Sequence, residues 1–246
     1  MKAIICAILL AALPVVAVAQ DEGVKLQSVN VDLSNTASLQ RGAKYFVNYC
    51  MGCHSARYVR YNSVARDLGL TDTQLENYLI FTGAKTTDTM VSSMPPADAE
   101  KWFGIVPTDL SLESRSRGAD WIYTYLKSFY VDPTSKTGVD NTVFPKVSMP
   151  DVLWELQGTQ KAVFSTVKNP DGSTYQVFDH FEPLTPGKLT PQQFDKLDRD
   201  LTGFLVYMGD PVMLKSRSLG LRVIGFLIIF FVIAYLLKRE IWKKVH

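Results

Sequence analysis

The stretch that most constrains this chain is Cys50-Met51-Gly52-Cys53-His54. Two thiols three positions apart, at the end of a helical pattern and followed at once by an imidazole, have the C-x-x-C-H spacing of a c-type haem attachment site. Each thiol can form a thioether to one vinyl group of a single porphyrin. The histidine then lies beneath the ring as an axial ligand to the iron. A bare C-x-x-C also occurs in redox dithiols and zinc sites. Zinc needs two further ligands, and beyond the motif the chain offers only Cys6, His180 and His246. A thioredoxin-like dithiol follows a strand, whereas this one ends a helix. The motif therefore points to one covalently bound haem c.

Residues 1–19 have the form of a secretory signal peptide, with Lys2 as the positive end, Ala3 to Val16 as the apolar stretch and Ala17-Val18-Ala19 as the cleavage site. Pro14 interrupts the apolar run, which argues against an uncleaved anchor. Cleavage removes Cys6, so the mature chain keeps only the two motif cysteines and forms no internal disulfide in an oxidising compartment. Near the other end, Leu219 to Leu237 is a nineteen-residue apolar run whose single charge is Arg222. As a helix it spans roughly 28 Å, enough to cross a bilayer core. Basic residues on its two flanks are nearly balanced, so orientation follows from the leader. The domain over 20–215 is exported to the periplasm, and residues 216–246 anchor it with the C-terminus in the cytoplasm. Between leader and anchor, residues 20–217 hold 20 basic and 23 acidic side chains, so the formal net charge of +2 comes from the ends. No basic stripe suggests nucleic acid.

Within the exported part the periodicities predict mostly helices. Leu39, Ala43, Phe46 and Cys50 put one apolar face on a helix over 38–49, with Ser38 as its N-cap. Tyr45 and Tyr49 lie close to the motif. Thr71 and Gln74 form a capping box for a helix over 72–82, stopped by Gly83. A loop is expected over 85–107. A third helical region over 109–130, broken near Gly118, is dense in aromatics and carries Arg115 and Arg117. Residues 131–150 read as loop. Asn169-Pro170-Asp171-Gly172 between β-rich runs at 162–167 and 174–178 predicts a hairpin. Thr190 caps a helix to Met208, buried along Phe194, Leu197, Leu201, Phe204, Leu205 and Met208. Its Asp195, Asp198 and Asp200 read as a solvated face, with an acidic docking patch as the alternative. The fold class is mainly α, a cytochrome c-type haem domain with a small hairpin insertion and one C-terminal transmembrane helix.

A second axial ligand would make the haem an electron carrier, and an open position would make it a catalyst such as a peroxidase. His180 sits among acidic residues and reads as a surface side chain. Among the methionines, Met94 and Met149 both lie in proline-flanked loops able to hold a thioether, and the residues alone leave them equal.

Several motifs resemble the cytochrome c1 family, the haem subunit of the bacterial ubiquinol–cytochrome c oxidoreductase (bc1) complex. They are Arg41-Gly42-Ala43, Phe46-x-x-Tyr49-Cys50-x-x-Cys53-His54-Ser55, Met94-Pro95-Pro96, Pro107-Thr108-Asp109-Leu110-Ser111, Arg115-Ser116-Arg117-Gly118, Phe144-Pro145, Met149-Pro150 and the single anchor. The chain differs from the usual pattern at Thr108 and Asp151. The resemblance implies thioethers at Cys50 and Cys53, axial His54 and Met149, and Arg117 on a haem propionate. It also implies a crossing at Gly42 and Phe46 for the 190–208 helix. A Rieske iron–sulfur protein would deliver the electron, a c-type cytochrome would accept it, and quinol chemistry would lie in a cytochrome b partner within a dimeric complex in the bacterial inner membrane. An oxidase subunit or a haem peroxidase are the other classes.

Overall fold

The computed structural model describes residues 24–169 and 171–243. The leader, Pro170 of the hairpin turn and His246 lie outside the described residues. Helix α1 runs Thr36–Tyr45 and widens into a π-turn over Phe46–Cys50. Its N-cap is Asn35, whose side chain accepts from the Ser38 amide at 3.0 Å. Ser38 is therefore not the cap; it lies one turn in, with its hydroxyl donating to Asp200. A strand β1 (Ala56–Arg60) follows, then α2 (Tyr61–Leu68) and α3 (Asp72–Tyr78). The capping box of Thr71 and Gln74 opens α3, but the helix ends at Tyr78, four residues short of expectation.

The segment expected as loop over 85–107 holds β2 (Thr89–Met90), antiparallel to β1, and α4 (Pro96–Phe103). Pro95 and Pro96 do not prevent this helix, because Pro96 occupies its first turn, where a missing N–H costs nothing. Beyond come α5 (Glu113–Arg117) and α6 (Ala119–Lys127). Gly118 separates them with φ 88°, a conformation that strains any residue with a Cβ. The helical pattern was expected to reach Tyr130. Instead Phe129–Val131 is strand β3, paired antiparallel to β4 (Val139–Asn141). A one-turn α7 (Trp154–Gln157) leads into the hairpin of β5 (Gly158–Lys168) and β6 (Thr174–Pro186), longer at its base than the sequence suggested. Two register shifts bend it. Helix α8 (Pro191–Gly209) and the thirty-residue α9 (Met213–Trp242) close the chain.

The core forms where α1 crosses α8. Leu39, Ala43 and Phe46 on α1 and Leu201 and Phe204 on α8 are all buried, and the Phe46 and Phe204 rings sit 5.6 Å apart. Gly42 is the point of closest approach. A Cβ there would overlap the Asp200 carbonyl oxygen and meet Phe204 Cβ at 2.7 Å. Burying the leucine and phenylalanine side chains contributes about 2 kcal/mol each. The N-terminal segment lies along α6, with the Val29 amide on Asp120 at 2.7 Å and the Gln27 amide on Thr124 at 2.8 Å. Among the described residues, Leu219–Trp242 of α9 is the one helix long and apolar enough to span a membrane. Among the described residues, helices are thus joined by three small two-stranded sheets, and the hairpin and α9 project from the core.

Candidate haem site

Cys50, Cys53, His54 and Met149 all line one apolar cleft of about 270 Å³. Its walls are Ile122 and Leu126 of α6, Leu205 of α8, Val147 and Val152 of the loop after β4, and Tyr49 of the π-turn. Tyr45 packs against the core instead. The thiols enter the cleft because the helix unwinds beneath them. The Met51 amide reaches back five residues to the Phe46 carbonyl at 3.0 Å, and the Cys53 and His54 amides both turn onto the Cys50 carbonyl at 3.1 and 2.8 Å. π-Turns of this kind recur at functional sites.

His54 is oriented by one bond. Its Nδ1 lies 2.6 Å from the Thr108 carbonyl oxygen. A carbonyl only accepts, so Nδ1 carries the proton and Nε2 keeps its lone pair. Burial lowers the imidazole pKa, against the pull of that carbonyl and of Glu113 and Asp109, and keeps the ring neutral. Neutral imidazole with its second nitrogen so engaged is the state that binds a metal. Thr108 is held in turn. The Leu110 amide bonds to Ser55 O at 2.8 Å, and Asp109 takes the amides of Arg57 and Ser111, both at 2.9 Å. Only the backbone carbonyl of residue 108 is used, so a proline there would serve equally, and the departure from the family pattern leaves the contact intact.

Both thiols are unpaired. Burial, helped by Cys53, pushes the Cys50 thiol up to about 12, and burial raises Cys53 as well. Redox dithiols and zinc thiolates need the opposite shift. Among the described residues no group of three or more His, Cys, Asp or Glu could hold a metal ion. The residues fit a porphyrin instead: two thiols, an imidazole with a free Nε2 lone pair, and mostly apolar walls.

Met149 reaches the cleft on a loop tied to its neighbours. Asn141 of β4, fully buried, donates to the Tyr125 carbonyl at 2.8 Å and accepts from the Val143 and Phe144 amides at 2.9 and 3.2 Å. Asp140 accepts from the Val147 amide at 3.1 Å. Lys146 adopts φ 63° to turn the chain inward, the one left-handed residue besides glycine among those described. The Tyr125 hydroxyl donates to Met149 Sδ at 3.3 Å. Asp151, the other departure, accepts from the Leu153 amide at 3.0 Å as α7 begins. Burial, outweighing the Leu153 and Trp154 amides, raises its carboxyl to about 6.

Among the described residues, four other methionines lie elsewhere. Met94 does not face the cleft; its amide is held by Ser92 Oγ at 3.1 Å, outside the attachment loop. Met51, Met90 and Met208 are core residues. Arg117 lies over the rings of Trp121 and Phe144, at 4.8 and 5.6 Å, with Nε 3.2 Å from Glu113 Oε1. Phe144 and Glu113 line the cleft, so Arg117 stands at its rim. Arg115 faces Asp210 at 3.7 Å. His180 is exposed beside Asp179 and Glu182.

Sequence reasoning missed Thr108 as the imidazole's partner, Asn141 as the loop anchor and Tyr125 as the thioether's donor. A backbone carbonyl leaves no trace in residue type, and Asn141 gives none either. Tyr125 had a signal, since Arg117, Trp121, Tyr125 and Phe129 recur every four residues.

Comparison with known proteins points the same way. The model of the Cytochrome C1 family matches residues 30–163 and 185–245. The stretch it passes over, 164–184, is the outer part of the β5–β6 hairpin. A cytochrome c1 from Allochromatium vinosum is 47% identical over the whole of both chains. A protein named ammonia monooxygenase gamma subunit, from Nitrosomonas europaea, is 41% identical over all of this chain and 98% of its own. Cytochrome c1 from Rhodobacter capsulatus is 22% identical, covering 84% of this chain and 82% of its own.

Proposed function

The chain belongs to the cytochrome c1 family, and from that premise we propose that it relays single electrons from a Rieske iron–sulfur protein to a c-type cytochrome. As a family member it is a membrane-anchored, haem-containing electron-transfer subunit of a bc1 complex, with one covalently attached haem c and a cytochrome b partner. The observation that carries the finer reading is the convergence of Cys50, Cys53, His54 and Met149 on one apolar cleft.

In this reading Cys50 and Cys53 are the thioether anchors, His54 Nε2 and Met149 Sδ the axial donors, and Arg117 the partner of a propionate. The bound haem supplies the one-electron chemistry. The chain's residues set its terms. Thr108 fixes the imidazole tautomer, Ile122, Leu126 and Leu205 form the apolar wall, and a soft thioether on the iron would favour its ferrous state and a high potential. Such an acceptor suits an iron–sulfur donor. If His54 and Met149 both hold the iron, the peroxidase reading would lose the open position it needs.

The topology is part of the same proposal. Residues 1–19 export the domain over 20–215 to the periplasm, α9 halts transfer in the inner membrane, and the C-terminus stays in the cytoplasm. Two such assemblies would form the dimeric complex. The relative named as an ammonia monooxygenase subunit supplies the competing reading, in which the partner is a monooxygenase.

Purification in mild detergent through a C-terminal tag separates the two. We expect b-type haem and the Rieske protein to copurify, and quinol to reduce the haem c only while the Rieske protein is present. Absence of b-type haem, or quinol reduction that survives Rieske removal, overturns the proposal.

A further inference from the structure

Arg117 at the end of α5, Trp121 and Tyr125 one turn apart on α6, and Phe129 at the start of β3 lie side by side, with Tyr125 lining the cleft. The Arg117 guanidinium lies 4.8 Å from the Trp121 ring centre. Trp121 stacks on Tyr125 at 4.9 Å with planes 9° apart, and Phe129 closes on Tyr125 edge-on at 5.1 Å. Held on both sides, the Tyr125 ring has no freedom to swing. Its hydroxyl points into the cleft and meets Met149 Sδ at 3.3 Å. The same residue's carbonyl takes the Asn141 side chain, from which the Met149 loop hangs. Tyr125 therefore grips that loop twice, by the backbone at its root and by the hydroxyl at its working atom.

We propose that Tyr125 is a positioning residue for the axial thioether, fixing which sulfur lone pair faces the iron and weakening its donation. This rests on Met149 being the sixth ligand. A thioether sulfur has two lone pairs and accepts hydrogen bonds weakly, so the O–H adds little to fold stability. Its effect is electronic. Density drawn toward the hydroxyl proton is lost to the iron. Ferric iron, the more electron-poor state, loses more by this than ferrous iron. The hydroxyl thus raises the midpoint potential and loosens the sulfur bond in the oxidised protein.

Tyr125→Phe in the intact, haem-loaded complex tests this, because it keeps the ring, both ring contacts and the backbone anchor. The sulfur–iron charge-transfer band of the oxidised protein should persist, and the pH at which alkali abolishes it should rise. At a fixed ambient potential the ratio of reduced to oxidised haem should fall roughly three- to fivefold, the scale of one hydrogen bond. Site-specific 3-fluorotyrosine at position 125, a stronger donor, should move both readouts the other way, and it serves if the Phe variant does not assemble. A merely structural tyrosine would leave potential and band-loss pH unchanged in both variants, and that result overturns the proposal. Met149→Leu separates this failure from the other one. If that variant retains the band, Met149 is not the ligand, and the reading of the site falls together with the inference.

Discussion

Three carboxylates on α8 show how a side chain's surroundings, rather than its charge, fix its role. Asp195, Asp198 and Asp200 read in sequence as a solvated face, with an acidic docking patch as the alternative, and the structure corrects both. Asp200 is buried and accepts from Arg41 Nε at 2.6 Å and Nη2 at 3.0 Å, and from the Ser38 hydroxyl. Asp195 is ringed by Lys127 and Arg199, each at 2.8 Å, and by the Tyr123 hydroxyl. Against the burial that would raise it, those bonds hold its carboxyl well below the usual range. Asp198 is fully buried, has only Thr202 at 3.4 Å, and leaves Oδ2 without a partner. Burial pushes its carboxyl well above the usual range, with nearby Lys127 and Arg199 too weak to offset it and Asp195 adding to it. A carboxyl raised on folding binds its proton more tightly in the native state. Its contribution is therefore complete below the ordinary carboxylate pKa and is lost as pH rises through the folded value. Asp198→Asn, which cannot ionise, should gain on the wild type by roughly 1–3 kcal/mol between pH 4 and pH 8, the cost of an unpartnered buried group. Denaturant melts at the two pH values measure it. A difference that stays constant with pH would mean that Asp198 is ionised in the fold.

At the level of elements, the α1–α8 crossing bears directly on the cleft, since α1 ends in the haem motif and α8 supplies Leu205 to its wall. Gly42→Ala would drive a methyl into the Asp200 carbonyl, which is backbone and cannot turn aside. The helices must separate, at a cost of about 1–3 kcal/mol or more, and the melting temperature of the haem-loaded domain should drop. An unchanged melting temperature would show that the helices cross elsewhere. The elements that sequence revealed have local causes. The apolar repeat of α1 and the threonine–glutamine capping boxes of α3 and α8 are written within one or two turns of chain. What stayed hidden depends on distant partners or on punctuation that cuts two ways. β1 and β2 exist only by pairing across the segment that holds α2 and α3, whereas α2 went unread although Tyr61, Val64, Ala65 and Leu68 recur at helical spacing. The aromatic run after α6 looked helical until β4 claimed Phe129–Val131. At the site, the C-x-x-C-H motif is contiguous and was legible. Thr108, Asn141 and Tyr125 belong to it only through the fold.

In the whole molecule, the haem cleft, the hairpin and the anchor separate cleanly. The family match breaks over the outer hairpin and resumes near its base, so the cleft is built without it. Helix α9 continues to Trp242, five residues past the apolar span read from sequence and through the charged Lys238, Arg239 and Glu240, and Lys238 lies 5.8 Å from that tryptophan ring. The proposal turns on which sulfur reaches the iron, because His/Met ligation would make this cleft a high-potential relay rather than an open catalytic site. The oxidised and reduced spectra of Met149→Leu and Met94→Leu, each in the haem-loaded protein, decide it. Met149→Leu should keep its covalent haem, lose the sulfur–iron charge-transfer band and bind carbon monoxide when reduced, while Met94→Leu behaves as wild type. If Met94→Leu loses the band and Met149→Leu keeps it, the ligand lies outside the cleft described and the account is wrong at its centre.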